Sequence, residues 1–264
     1  MTSVNSDLVG GTHATDQIAG RPDASVAEPD PPVLVYCDGA TGERVALSAS
    51  ELAGWAARVA VLLRDECGLG PGTTAAVLLP PHWQTAAVLL GAWSAGVAVS
   101  FRPAATAGLA QPDGDVPCDV VFVSAARCDN WLEDVPDSPH RFVLGLDADA
   151  APMRTVPDGY RDLIAALADH PGDPQASPAQ VRPSDPASPD GTRFDEWGAL
   201  GAELAKGWDL WAGDRLLVDA DAHEQPVMWL LAPLSVGARV VLCAHHDAAA
   251  LAERAVAEQT TRTL

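Results

Sequence analysis

Histidine is the side chain most readily turned to acid–base or ligand work near neutral pH, and two of the seven in this chain stand at matching places. His82 follows the apolar run Ala75-Ala76-Val77-Leu78-Leu79, and His223 follows Arg215-Leu216-Leu217-Val218. A residue just beyond a buried parallel strand lies where open α/β sheets bind ligands. His223, His82 and the neighbouring Trp83 are therefore the candidate ligand-binding residues. The competing reading gives both histidines a structural job, such as capping the next helix. His245-His246-Asp247 offers three metal-ligating residue types in a row. Neighbours in an extended chain point to opposite sides, and no further ligand stands at metal-site spacing. The expectation there is a strand-end turn with Asp247 capping a helix, and no metal site. No Gly-x-Ser-x-Gly elbow, no Gly-x-Gly-x-x-Gly after a strand and no recognisable Cys–His spacing occurs, so no catalytic residue is assigned. Trp83, Trp93, Trp208, Trp211 and Trp229 lie beside predicted helices and read as core rather than as a stacking platform.

The elements that position these residues can be read from periodicity. Val33-Leu34-Val35-Tyr36 and Arg44-Val45-Ala46-Leu47 flank a Gly-containing turn, as in a hairpin. Ser48 and Glu51 have capping-box spacing, and Leu52, Trp55, Ala56, Val59, Leu62 and Leu63 recur at three- and four-residue intervals, which predicts a helix. The run 75–79 predicts a strand buried on both faces, hence a parallel sheet. A helix over 84–95, closed by Gly96, and a strand over 97–101 complete a βαβ pattern. Strands at 120–123 and 141–144 and a helix at 160–170 follow. Beyond 191 the pattern predicts helix 194–206, strand 215–218, helix 227–234, strand 239–243 and helix 248–258. The expected organisation is a disordered tail over 1–31, a first α/β unit over 32–170, an extended Pro-rich linker over 171–191, and a second, shorter α/β unit over 192–264. Shifted by 141 positions, the second unit overlays the first without gaps from Leu69 to Ser100, with ten identities that include His82/His223, Gly72/Gly213 and Gly96/Gly237. Two related units are the reading.

Composition narrows the function classes. The chain has 264 residues and a formal net charge of −20, so a phosphate backbone would have to overcome the molecule's own field, and nucleic acid is not an expected partner. No apolar run approaches the ~20 residues of a membrane span and no signal-peptide pattern opens the chain, so neither a membrane partner nor export is expected. The five cysteines occur singly, which argues against a disulfide framework or zinc knuckle and suits a reducing, cytoplasmic compartment.

Asp38-Gly39, Gly42-Glu43, Ser48, Glu51-Leu52, Gly70-Pro71-Gly72, Val77-Leu78-Leu79-Pro80 and Leu90-Gly91-Ala92-Trp93-Ser94-Ala95-Gly96 together resemble the start of the adenylate-forming (AMP-binding) ligases, the acyl-CoA synthetases among them. Gly213-Asp214-Arg215, His223 and the run 231–242 resemble a later stretch of that family, in which a His precedes a helix and the following strand. The run from Pro80 to Gly91 is closer still to a small family of short proteins from high-GC bacteria, kin to the ligases' N-terminal half. The resemblance implies two similar stacked α/β subdomains with mostly parallel sheets.

Two departures bear on function. Where the ligases carry a Thr/Ser/Gly-rich phosphate loop ending in Pro-Lys, this chain has Ser184-Asp185-Pro186-Ala187-Ser188-Pro189-Asp190-Gly191-Thr192-Arg193. Prolines lack the N–H that such a loop aims at phosphate, and carboxylates repel it. Lys206, the only lysine, has no glycine before it and lies in a predicted helix, where it reads as a solvated surface residue. The sequence also reaches Leu264 before the family's ribose-binding and metal-binding motifs and its lid domain. The expected function is that of a catalytically degenerate relative acting as a binding or assembly module, with a protein partner or a second copy covering surface that the ligases bury, and no cofactor. The alternative is an acyl- or aryl-adenylate-forming enzyme that takes Mg-ATP at a different site or with a partner subunit, and His223 is the residue that would serve it.

Overall fold

A computed structural model describes residues 31–106, 118–128, 130, 135–170 and 181–264. The expected tail, and residues 171–180 of the expected linker, lie outside these. Strands β1 (Leu34–Asp38) and β2 (Arg44–Leu47) form the hairpin, with Gly42 at φ 78° in its turn. Helix α1 (Ala49–Val61) starts at Ser48, whose hydroxyl accepts from the Glu51 amide while the Glu51 carboxylate accepts from the Ser48 amide, the reciprocal capping box. It runs on through a π-helical turn, Leu62–Glu66. Strand β3 (Thr74–Leu78), helix α2 (Trp83–Ser94) and strand β4 (Ala98–Phe101) follow, within a residue or two of their predicted bounds. Then come β5 (Val120–Ser124), a short α3 (Ala125–Cys128), β6 (His140–Leu144), β7 (Arg161–Asp162) and α4 (Leu163–Leu167). The predicted helix over 160–170 is thus a two-residue strand and a short helix, because the Asp162 side chain caps at Ala165 and delays helix entry. Helix α5 (Phe194–Gly207), β8 (Arg215–Asp219), a π-helical turn Val227–Leu231 leading into α6 (Ala232–Ser235), β9 (Arg239–Ala244), α7 (Ala248–Ala257) and β10 (Arg262–Thr263) complete the chain.

The strands make two five-stranded sheets, ordered β4-β3-β5-β6-β7 and β10-β8-β9-β1-β2. Every pairing is parallel except that of the hairpin itself. This is an α/β fold with mostly parallel sheets, but the units are not cut at the linker. The hairpin, expected within the first unit, pairs through β1 with β9 of the second sheet, Leu34 opposite Val240 and Cys37 opposite Cys243. Burial explains the choice: β1 is buried at all five positions, and only a place inside a sheet satisfies such a strand on both sides.

The 141-residue offset lays β3 on β8 and β4 on β9, and β3 pairs with β4 as β8 pairs with β9, with β5 beside β3 where β10 lies beside β8; β9 has β1 on its far side, where β4 has no strand among the described residues. Gly72 and Gly213 share φ near 90°, at 92° and 87°, and Gly96 and Gly237 lie at 81° and 71°. These are left-handed positions where a side chain is strained. One apolar core joins the units: Leu34, Tyr36, Leu216 and Leu242 from one sheet, Ala75, Val77, Phe122 and Phe142 from the other, and Val59, Leu89, Ala205 and Trp229 from the helices between. Gly91 of α2 lets that helix approach α1 so closely that a Cβ there would lie 2.6 Å from the Ala56 carbonyl oxygen. Among the described residues, no helix is long and apolar enough to cross a membrane.

Candidate functional site

The described part of the stretch expected as extended linker, from residue 181, forms a hairpin packed on both units. The Pro186–Arg193 bridge and the bonds from the Ala187 and Ser188 amides to the Thr192 carbonyl close it. Ser188-Pro189-Asp190-Gly191 is a turn in which the Gly191 amide reaches the Ser188 carbonyl, with Pro and Gly at the positions such turns favour. Of the prolines that argued for a linker, Pro183, Pro186 and Pro189 are described, and they sit where no N–H is needed. Nearly every remaining amide is consumed locally: Thr192 donates to the Asp190 carboxylate, Arg193 to Glu196, Phe194 to the Asp185 carbonyl and Asp195 to the Pro183 carbonyl. The hairpin also edges the first sheet, since the Val99 amide of β4 donates to the Ala187 carbonyl at 2.8 Å.

Two tryptophans hold this hairpin. The Trp93 indole N–H of α2 donates to the Ala187 carbonyl at 3.2 Å, and that of Trp197 of α5 to the Ser188 hydroxyl at 2.8 Å. Between them, at the C-terminal end of β4, a cleft of about 170 Å³ is lined by Phe101, Val227 and Leu231 with Ser100, Asp190 and Gln225 at its polar positions. It faces the loop after β8, at the ends of parallel strands where α/β sheets place ligands. Glu224 ties that loop to the first unit, its carboxylate accepting from the amides of Ala104 and Ala105.

The predicted site residues do not converge on this cleft. His82 and Trp83 are each 2% exposed, their ring centroids 5.8 Å apart. His82 caps α2: its Nδ1 accepts from the Gln84 amide at 3.1 Å, which leaves the proton on Nε2, and that atom has no partner among the described residues. Burial drives its pKa down to about 3 against the opposing pull of Asp38, so the ring is neutral. Trp83 packs edge-on against Trp55 of α1 at 5.4 Å. His223 lies half-buried in the turn after β8, where its amide bonds the Asp219 carbonyl. It caps no helix, so the matched histidines do different jobs. Asp247 caps α7 through the Ala250 amide, as the turn-and-cap reading of residues 245–247 expects.

One constellation was not legible. Asp38, at the end of β1, accepts from the Ala40 and Thr41 amides and the Tyr36 hydroxyl, and faces His245 Nδ1 at 3.1 Å. Burial opposes ionisation of Asp38, but these amides and His245 outweigh it and hold the carboxyl below the usual range. Burial and then Asp38 push the Tyr36 phenol well up. His245 has φ 56°, and its carbonyl leaves no room for a Cβ on Gly39. Asp38-Gly39 and His245 each closing an apolar strand is the only sequence signal for this contact, and it needs the β1–β9 pairing to be known.

The description "AMP-binding enzyme" belongs to the family model that matches residues 23–187. A protein of Mycobacterium tuberculosis named "TIGR03089 family protein" is 36% identical over 246 residues, covering 90% of this chain and 93% of its own. Among solved structures, an acyl-CoA synthetase of Brucella canis superposes with a TM-score of 0.72 at 21% identity, covering 97% of this chain and 51% of its own. Acetoacetyl-CoA synthetase from Streptomyces lividans superposes with a TM-score of 0.64 at 20% identity, covering 88% and 39%. The chain therefore spans about half the length of these synthetases or less, and its two sheets follow the fold of their N-terminal region. With its family match over more than half its length and a relative at this identity, the chain belongs to the AMP-binding enzyme family.

Proposed function

We propose that this chain is a family member that does not adenylate and works as a binding or assembly module. The hairpin over 183–193 carries the reading. A phosphate cradle needs several backbone amides aimed outward at one point. Here the amides of Ala187, Ser188, Gly191 and Thr192 are bonded inward, Pro189 has none, and the Asp190 carboxylate stands at the turn. A triphosphate would meet that carboxylate in a chain of net charge −20. The neighbouring cleft, walled by Trp93, Phe101, Trp197 and Leu231, suits a small uncharged and largely apolar group instead. The proposed partner is a protein or a second copy of the chain, and no cofactor enters.

The test is calorimetric titration with Mg-ATP, then with a non-hydrolysable acyl-adenylate mimic, beside ATP–pyrophosphate exchange over a panel of carboxylates. Neither heat nor exchange is expected. Micromolar binding, about −8 kcal/mol, or steady exchange overturns the proposal in favour of an adenylate-forming enzyme with a different ATP site or a partner subunit. What favours that second reading is His223, half-buried at the end of β8; under it, His223→Ala abolishes the binding.

A further inference from the structure

Among the described residues, α7 packs on the face of the second sheet turned away from the shared core. Val35, Cys37, Leu217, Val241 and Cys243 cluster there beneath Leu251 and Ala255 of α7. Cys37 of β1 and Cys243 of β9 are direct partners in the parallel register, and neither has any exposed surface. Neighbouring strands lie about 4.8 Å apart, within the Cα separation of about 4.4–6.8 Å that a disulfide spans. The cover is thin. Not one residue of α7 is fully buried. The helix is held at its ends, by the Asp247 cap and by Glu258, whose carboxylate takes two bonds from Arg44 at 2.7 and 3.0 Å. A helix docked this way opens locally at far lower cost than the sheet beneath it.

We propose that Cys37 and Cys243 are a redox pair that a hydroperoxide converts to a cross-strand disulfide when α7 lifts, stapling the first strand of the chain to β9. The Cys37 thiolate attacks one oxygen of hydrogen peroxide, the O–O bond breaks, and a sulfenic acid and hydroxide result. The Cys243 thiolate then attacks that sulfur, forming the S–S bond and expelling a second hydroxide. The two thiol protons convert both hydroxides to water, and the two electrons lost by the sulfurs reduce the peroxide. The contact between the thiols lets one ionise at the other's expense, the bond from Cys243 favouring the Cys37 thiolate against burial and opposing ionisation of Cys243. Cys67, Cys118 and Cys128, the remaining cysteines, are internal controls.

The experiment treats the full chain with hydrogen peroxide, alkylates what remains, and reads intact mass and a peptide map. The expected product has lost two hydrogens, joins the Cys37 and Cys243 peptides, reverts with dithiothreitol and unfolds at higher urea than the reduced chain. Asp247→Ala, which loosens α7 without touching either sulfur, forms it about fivefold faster. Cys243→Ala leaves a sulfenic acid at Cys37 that dimedone traps; if that variant fails to fold, the map of the native chain still decides. A disulfide through another cysteine, a link between molecules, stable oxygen adducts on either sulfur, or a rate unmoved by Asp247→Ala overturns the proposal.

Discussion

A neutral histidine sealed in the core makes stability depend on pH in a window where carboxylates are silent. His82 is 2% exposed and burial lowers its pKa to about 3, against about 6.5 in the unfolded chain. Between those values the unfolded chain binds a proton that the folded one refuses, so stability falls as pH falls through the window. From pH 7 to pH 5 the loss is about 2 kcal/mol, and by pH 4 it exceeds about 3 kcal/mol, at about 1.4 kcal/mol per unit. Asp38, Glu51, Glu66, Asp214 and Glu258, held below their usual range, add losses of the same sign only below about pH 4.5. The perturbation is His82→Asn, whose side-chain oxygen can still accept from the Gln84 amide but does not titrate. Urea unfolding at pH 7, 6 and 5 should show the native chain losing about 2 kcal/mol more than the variant across that interval. Parallel curves for the two proteins would refute the reasoning and mean that water or a conformational change relieves the protonated ring.

Two further expectations concern packing and the α7 anchor. Gly91→Ala places a Cβ 2.6 Å from both the Ala56 oxygen and the Val59 Cβ, and separating α1 from α2 should cost about 1–3 kcal/mol, read as a lower urea midpoint. Glu258→Gln leaves Arg44 without its charged partner and should cost about 2 kcal/mol, discounted because Arg44 is 45% exposed. Since Arg44 lowers the Glu258 pKa, the native pair's contribution fades as pH drops below about 4.3 and the two proteins converge there; a constant gap down to pH 3 would count against it.

Local chemistry was legible where a residue acts on its neighbours. Ser48 and Glu51 announced the helix they cap, and the unbroken run from Ala75 to Leu79 announced a doubly buried strand. The family was legible too, because the glycines and prolines that carry the resemblance lie in contiguous stretches of residues 23–187. Long-range pairing was not. Nothing in Leu34–Asp38 says which sheet it joins, since any parallel strand of similar burial would satisfy it. The Pro-rich hairpin misled for a related reason: Pro183, Pro186 and Pro189 argue against regular structure locally, while the bonds that fix the segment against the first sheet come from Val99 and Trp93, far away in the chain. His82 and His223 shared a sequence position but not a neighbourhood, so their common environment could not be inferred from the repeat.

The placement of the two hairpins makes each half of the molecule dependent on chain that belongs, by sequence order, to the other. β4 is edged by Ala187 of the Pro-rich hairpin, and its counterpart β9 is edged by β1 from the opposite end of the chain. Fragments cut between residues 170 and 186 would each leave with a raw sheet margin, β9 stripped of its hairpin and β4 of its border, and raw margins invite pairing with whatever strand is near. Expressed together, such fragments should find each other and reassemble; expressed singly, they should be sticky.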